Sequence, residues 1–197
     1  MRNFINIAFG VIVTLMYCSQ ESFGQNSGFG IKGGINISNQ KISGQGISIT
    51  PDANIKPHFG IFYNTMVSEA LAIQSEVLYS SQSTGKLDLG FGKDGITYNY
   101  LNIPMMLKYY PTGSLNLHAG PQLGILLSGD EYNGVSVIDE ANKVELSFGF
   151  GLEIYLTQSL GLSGRYVLGM SDVYEEEGDA HQKNRNIQFS LLFAFQK

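Results

Sequence analysis

Six ionisable residues stand at alternating positions within otherwise apolar stretches, and their types define the chemistry that this chain could support. They are three bases and three acids: Lys32, Lys108, Arg165, Glu76, Glu145 and Glu153. Such a set could form buried ion pairs, provide a polar path for protons, ions or water, or supply a catalytic carboxylate pair. Arg165 and Glu153 flank the short segment Thr157–Ser159, which places them within diagonal reach across a hairpin. Because an unpaired charge in a confined interior is costly, we predict a structural network of ion pairs.

The remaining candidate groups favour neither a catalytic nor a metal site. His58 and His118 share the alternation of the six charged residues, whereas His181 falls in a long polar segment. A lipid-directed hydrolase would need serine, histidine and acid together on the opposite face, where Ser75 is the only strand serine. The acids of Ser171–Arg185 lack the spacing of an EF-hand, and weak divalent-cation binding to anionic glycolipid is the alternative. We predict no catalytic residue, no cofactor and no dedicated metal site.

The elements that carry these residues have the pattern of β-strands, because large apolar residues recur at every second position. Eight such segments approach the ~9–11 residues that a tilted strand needs to cross a bilayer: Phe29–Ser38, His58–Val67, Ala70–Ser80, Leu101–Tyr110, Leu115–Leu127, Val144–Leu156, Leu160–Met170 and Asn186–Phe195. Short turns alternate with four long polar segments: Asn39–Pro57, Ser81–Tyr100, Ser128–Lys143 and Ser171–Arg185. We therefore predict an all-β fold, an eight-stranded antiparallel up-and-down transmembrane β-barrel with short periplasmic turns and long external loops.

The two faces of these strands differ sharply in composition. One face carries Leu, Ile, Phe and Tyr without any charge, and the other carries the six charged residues and most strand glycines. A soluble barrel with the apolar face inward is the alternative, but an eight-stranded interior is only just wide enough for its own side chains. A Lys or Arg facing lipid at the midplane costs roughly 2–4 kcal/mol, which explains why one face lacks them. We predict that the apolar face meets lipid and that the charged residues line the lumen.

The first residues of the chain predict export. Arg2 precedes the apolar stretch Ile5–Tyr17, which is too short to cross a bilayer, and small residues precede a cleavage site before Gln25. We predict a signal peptide at residues 1–24 and one barrel domain at residues 25–197; a lipoprotein signal ending in Cys18 is the alternative. A net charge of −5 with 15% charged residues argues against nucleic-acid binding.

Several segments together resemble a known family. The succession "GFGIKGGINIS", "ALAIQSEVLYSSQ", "YLNIPMMLKYYP", "LNLHAGPQLGILLS" and "GLSGRYVLGMSDV" is similar to the small outer-membrane barrels described as PorT-like, or porin family, in Bacteroidetes. That family resembles barrels of the OmpX and OmpA type, and the likeness covers essentially all of residues 25–197. It implies residence in the bacterial outer membrane, contact with outer-membrane lipid and recognition by the barrel-assembly machinery, whose signal the segment Phe193–Lys197 resembles. It also implies a surface or secretion-apparatus partner.

These observations predict an integral outer-membrane protein with a polar, ion-paired lumen and four long extracellular loops that bind a partner. The expected protein is not an enzyme. Three alternatives stay open: a narrow conductance for solutes or ions, an accessory PorT-like component of a secretion system, and a lipid-modifying barrel enzyme.

Overall fold

The chain forms eight long antiparallel strands. The computed structural model describes residues 27–44, 47–49, 54–83, 97–129, 131–132, 135–136, 142–171 and 181–195. The long strands are β1 Gly28–Gly44, β2 Asn54–Met66, β3 Leu71–Ser83, β4 Thr97–Tyr109, β5 Leu115–Gly129, β6 Val144–Tyr155, β7 Leu160–Gly169 and β8 His181–Ala194. Three further short strands lie in the long connections: Ile47–Ile49, Glu131–Tyr132 and Val135–Ser136. The predicted all-β, eight-stranded fold is confirmed. The predicted signal peptide lies outside the described residues.

The sheet closes on itself. Each strand pairs with the next in sequence, and β1 also pairs with β8 over a register that runs from Gly30–Ala194 to Ser43–His181. Closure gives every strand a hydrogen-bonded neighbour on both sides, which a bilayer interior requires because hydrocarbon offers backbone groups no partner. The described residues contain no helix long and apolar enough to span a membrane.

Short turns connect the strands at one rim, as predicted. In the turn between β2 and β3, the Val67 amide donates to the Leu71 carbonyl oxygen at 2.8 Å, and Ser68 Oγ accepts from the Leu71 amide at 3.1 Å. Thr157 Oγ1 likewise accepts from the Leu160 amide at 2.9 Å in the turn between β6 and β7. Outer-membrane barrels place such turns in the periplasm and long connections outside.

The strands run further toward the long loops than the sequence analysis predicted. β1 continues to Gly44 and β8 begins at His181, so both extend into segments predicted as loop, and His181 is a strand residue. The predicted strand bounds were wrong here because they followed the alternation of apolar residues. That alternation stops where the strands leave the hydrocarbon layer of the membrane. Backbone pairing continues into the polar region, where alternation in side-chain type is no longer required.

The two predicted faces are confirmed. Alternate strand positions are exposed and apolar, with Phe29 61% and Leu191 56% exposed, whereas the interleaved Lys32 is 2% and Glu153 0% exposed. The apolar face therefore forms the outer wall, and the charged residues are enclosed by the barrel.

Some inward glycines are required by the close approach of neighbouring strands in so narrow a barrel. A Cβ built on Gly34 of β1 would lie 1.9 Å from the Phe189 carbonyl oxygen of β8. Gly33, the preceding residue, faces outward, and a Cβ added to it would have no neighbouring atom closer than 3.8 Å. Substitutions at Gly33 and Gly34 therefore test directly whether position 34 must be glycine.

Gly34→Ala is expected to lower the free energy of unfolding by about 1–3 kcal/mol, since the added methyl group forces β1 and β8 apart. Gly33→Ala should leave it unchanged or slightly higher, because glycine inside a strand is itself unfavourable. Urea unfolding in lipid vesicles measures both. Equal effects of the two substitutions would show that the close approach does not limit stability.

Candidate functional site: the lumen charge network

Glu76 on β3 is the centre of one ion-pair cluster. Arg165 on β7 reaches across the lumen and donates from Nη2 to Glu76 Oε1 at 2.6 Å and from Nη1 to Oε2 at 3.0 Å. Lys32 on β1 binds the same carboxylate less closely, at 3.3 and 3.4 Å, and Gln74 Nε2 donates to Oε1 at 2.7 Å. The two-pronged arginine contact is the stronger geometry for a carboxylate. Both carboxylate oxygens of Glu76 thus accept hydrogen bonds, from the side chains of three residues.

Glu153 on β6 is the centre of a second cluster. Its Oε2 accepts from Lys108 Nζ of β4, in a pair whose side chains are both fully buried. The same oxygen accepts from Asn116 Nδ2 of β5 at 3.1 Å. The amide thus adds a neutral donor to the ion pair, which helps to offset the cost of removing both charges from water.

His118 joins the two clusters. Arg165 Nε donates to His118 Nε2 at 3.2 Å, so Nε2 is the acceptor and the ring proton lies on Nδ1. That Nδ1 faces Asn116 Oδ1 at 3.4 Å. The result is a continuous chain of contacts, here called the lumen network: Lys32, Gln74, Glu76, Arg165, His118, Asn116, Glu153 and Lys108.

Glycines on the inner face of β6 make room for the network. A Cβ on Gly151 would lie 2.9 Å from His118 Nε2 and 2.8 Å from the Arg165 Cα. A Cβ on Gly149 would lie 3.0 Å from the Met106 methyl and 3.3 Å from Arg165 Cδ. The two adjacent inward glycines of this strand therefore leave space for the arginine side chain to cross the barrel.

Glu145, the third acid, stands apart near the long-loop end. Ser147 Oγ donates to its Oε1 at 2.8 Å, and Asn184 Nδ2 donates to its Oε2 at 2.7 Å. Within the part of the chain that the structure describes, no base forms an ion pair with it. Its surroundings therefore offer neutral hydrogen bonds instead of opposite charge.

A layer of uncharged polar groups lies between Glu145 and the lumen network. Asn36 Nδ2 donates to Ser80 Oγ at 2.9 Å, and its Oδ1 accepts from Asn186 and Gln188 at 3.2 and 3.1 Å. His58 Nε2 lies 2.8 Å from Ser190 Oγ. The interior thus has two layers along the barrel axis. The ion pairs lie nearer the short turns, and the amide side chains lie nearer the long loops.

Comparison with known proteins identifies the class to which this architecture belongs. The profile of the family described as "Outer membrane protein beta-barrel domain" matches residues 9–195. The chain belongs to this family. Its members' location and the closed wall of apolar side chains place the protein in the bacterial outer membrane. The PorT-like affiliation within this class stays a prediction.

Solved outer membrane barrels share the fold at low identity. Neisserial surface protein A is 13% identical, with a TM-score of 0.59 over 87% of this chain and 100% of that one. The attachment invasion locus protein Ail of Yersinia pestis is 11% identical, with a TM-score of 0.50 over 86% of this chain and 100% of that one. No curated protein matches the chain. At these identities the likeness concerns the fold alone.

In this outer membrane barrel, all six predicted charged residues are buried, and five of them form ion pairs. Arg165 pairs with Glu76 across the lumen and not with Glu153, although Glu153 does lie diagonally to it on the adjacent strand. The predicted diagonal placement is therefore confirmed. Arg165 nevertheless pairs with Glu76, and Gly149 and Gly151 leave the space for this longer reach to β3. Glu153 forms its ion pair with Lys108 instead.

The neutral members of the site were not predicted from the sequence. Gln74, Asn116 and Ser147 each stand two residues from a charged or histidine member of the same face, and two of them donate to that neighbour. Since residues two apart in a strand share a face, this spacing was the available signal. No group of three or more His, Cys, Asp or Glu side chains that could hold a metal occurs among the described residues.

Proposed function

We propose that this outer membrane barrel is a closed, non-conducting scaffold that presents its extracellular loops to a binding partner, and we assign it no enzymatic activity. The observation that carries the proposal is the lumen network, which connects side chains of β1, β3, β4, β5, β6 and β7 across the interior. Its charged members are at most 2% exposed. A lumen of eight strands filled in this way has no room for a diffusing solute.

The geometry of the external rim supports a binding role. β1 and β8 stay paired to Ser43–His181, well beyond the last apolar pair Ile37–Ile187. The hydrogen-bonded backbone of β1 and β8 therefore continues above the hydrocarbon as a base from which the long connections start. Binding residues placed on such a base lose less conformational freedom on association than residues on a free loop.

Planar-bilayer recordings test the closed lumen. The purified protein is expected to give no single-channel steps above the bare-membrane baseline, because breaking the network to admit an ion would leave buried charges unpaired. Insertion is checked independently by the slower gel migration of the heat-unfolded form. Discrete steps that vanish in Glu153→Gln or Arg165→Met would overturn the proposal.

A narrow conductance is the second candidate, and one observation favours it. Buried polar atoms without a hydrogen-bond partner among the described residues occur at several heights of the lumen, including Gln74 Oε1, Gln122 Oε1 and Gln188 Oε1. Each is a place where an internal water could bind. The same recordings decide between the candidates. An accessory role in secretion is a separate prediction, tested by the identity of neighbouring genes.

A further inference from the structure

The outer end of β3 leaves the barrel wall and turns toward the lumen. The pairing of β2 with β3 ends at His58–Ser80, although β3 itself continues to Ser83. Pro57 is the next residue of β2 toward the long loop, and proline has no backbone N–H with which to extend the ladder. The three residues of β3 that follow Ser80 are all buried, so the alternation of exposed and buried positions stops there.

Side chains of β1 and β2 hold this end of β3 in place. Asn36 of β1 donates from Nδ2 to the Ser81 carbonyl oxygen at 2.7 Å. Ser38 Oγ accepts from the Ser83 amide at 2.9 Å, and Asn54 Nδ2 of β2 donates to Ser83 Oγ at 3.0 Å. Asn36 and Ser38 are inward side chains, at 0% and 2% exposure, so the β3 backbone that they contact lies inside the wall. These three hydrogen bonds are here called the latch.

The end of β3 and the start of β4 form one unit with a hinge at its base. Beyond the pair Ser80–Tyr100, the two strands stay paired with each other up to Ser83–Thr97. At the level of Tyr100, β4 also shifts its register against β5, between Asn99 and Tyr100. Both neighbours of the hairpin therefore change their pairing at one height, β2 by ending and β5 by shifting. A few residues at such a point can absorb the backbone change of a hinge. The part beyond the hinge, residues 81–83 and 97–99, is here called the flap.

Polar atoms that need solvent lie next to the latch. Asn36 accepts hydrogen bonds from Asn186 and Gln188 of β8. The side-chain oxygens of these two amides are buried and have no hydrogen-bond partner among the described residues, and the same holds for His58 Nδ1. Such atoms are places for water or a small polar solute, because leaving them unsatisfied is costly. Asn36 thus joins the latch to a polar layer that requires a route for solvent.

We propose that the flap swings outward about the Ser80–Tyr100 pair and admits water and small polar solutes to the amide layer around Asn36. Opening breaks the latch, whereas the flap stays attached to β5, where Asn99 Nδ2 donates to Ser128 Oγ at 2.9 Å. The lumen network lies on the short-turn side of the hinge and stays closed. The opened barrel is therefore a blind chamber and not a channel, and the motion does not depend on the proposed binding partner.

Thiol labelling of the folded barrel in nanodiscs tests the flap. Ser190→Cys places a reporter in the amide layer beside His58. Ala72→Cys, at a position of β3 that is 0% exposed and near the short turns, reports opening of the whole barrel. Cys18→Ser removes the only cysteine of the chain. With a charged, water-soluble thiol reagent, Ser190→Cys is expected to react at least about tenfold faster than Ala72→Cys, because local opening needs less free energy than global unfolding.

Variants of the latch decide between the flap and other routes. Ser38→Ala and Asn54→Ala should each raise the labelling rate of Ser190→Cys about fivefold, the effect of about 1 kcal/mol for one hydrogen bond, and leave that of Ala72→Cys unchanged. Ser128→Ala removes a hydrogen bond on the attached side of the flap and is the matched control, with no expected effect. Gel mobility confirms that each variant is folded. Equal labelling rates at the two reporters would overturn the inference, as would equal increases in Ser128→Ala and Ser38→Ala.

Discussion

Arg165→Met is expected to lower the free energy of unfolding by about 3–5 kcal/mol, because it leaves the Glu76 carboxylate buried without its main partner. Glu76 is 1% exposed and keeps only Lys32 and Gln74, the former at 3.3 Å. His118 loses its donor as well. Reversible urea unfolding in lipid vesicles measures the effect. Gel mobility and tyrosine fluorescence are the readouts, since the chain has no tryptophan.

Two variants separate the loss of the ion pair from the loss of packing. Lys32→Met should be much less harmful than Arg165→Met, because the closer arginine contacts to Glu76 remain. The triple variant Lys32→Met, Glu76→Gln and Arg165→Met should be more stable than Arg165→Met alone, since it leaves no unpaired charge in the Glu76 cluster. If the triple variant is the less stable of the two, the unpaired charge is not the source of the effect.

Phe150→Arg is expected to lower the free energy of unfolding by about 2–4 kcal/mol, because it places a charge on the lipid-facing wall near the middle of β6. Phe150 is 46% exposed on that wall. Refolding into vesicles of defined acyl-chain length, followed by urea titration, gives the value. Thinner bilayers should reduce the effect, since they bring water closer to the introduced guanidinium.

Leu156→Arg is the matched control for depth. It stands on the same side of the chain just past the end of β6, where a charge costs about 0–1 kcal/mol. A loss at Leu156 equal to that at Phe150 would mean that the outer wall does not meet a hydrocarbon gradient. The membrane orientation of the two faces would then be wrong.

The division of residues between the two faces could be predicted because strand geometry leaves no freedom in it. Once a strand alternates, every second side chain must share one environment, so a single charged position such as Lys108 fixes the assignment of its whole strand. The absence of charge on the other face follows from the cost of roughly 2–4 kcal/mol for a Lys or Arg that faces lipid at the midplane. Burial of all six charged residues follows from these two local facts.

The partners inside the lumen could not be predicted in the same way. Which base reaches which acid depends on the relative heights of strands that are distant in sequence, and the long loops leave those heights open. Arg165 and Glu76 are 89 residues apart. The space that lets them meet is created by glycines, whose effect on a neighbour's path is not visible in a one-dimensional pattern.

The pairing of β1 with β8 determines when this molecule can become stable. Gly30 and Ala194 are neighbours although almost the whole chain separates them. Until the last strand arrives, the first and the seventh both present unsatisfied edges, which are templates for aggregation. Contacts so distant in sequence also form slowly. A newly made chain must therefore pass through an incomplete intermediate, and its strand edges stay open to aggregation until β8 pairs with β1.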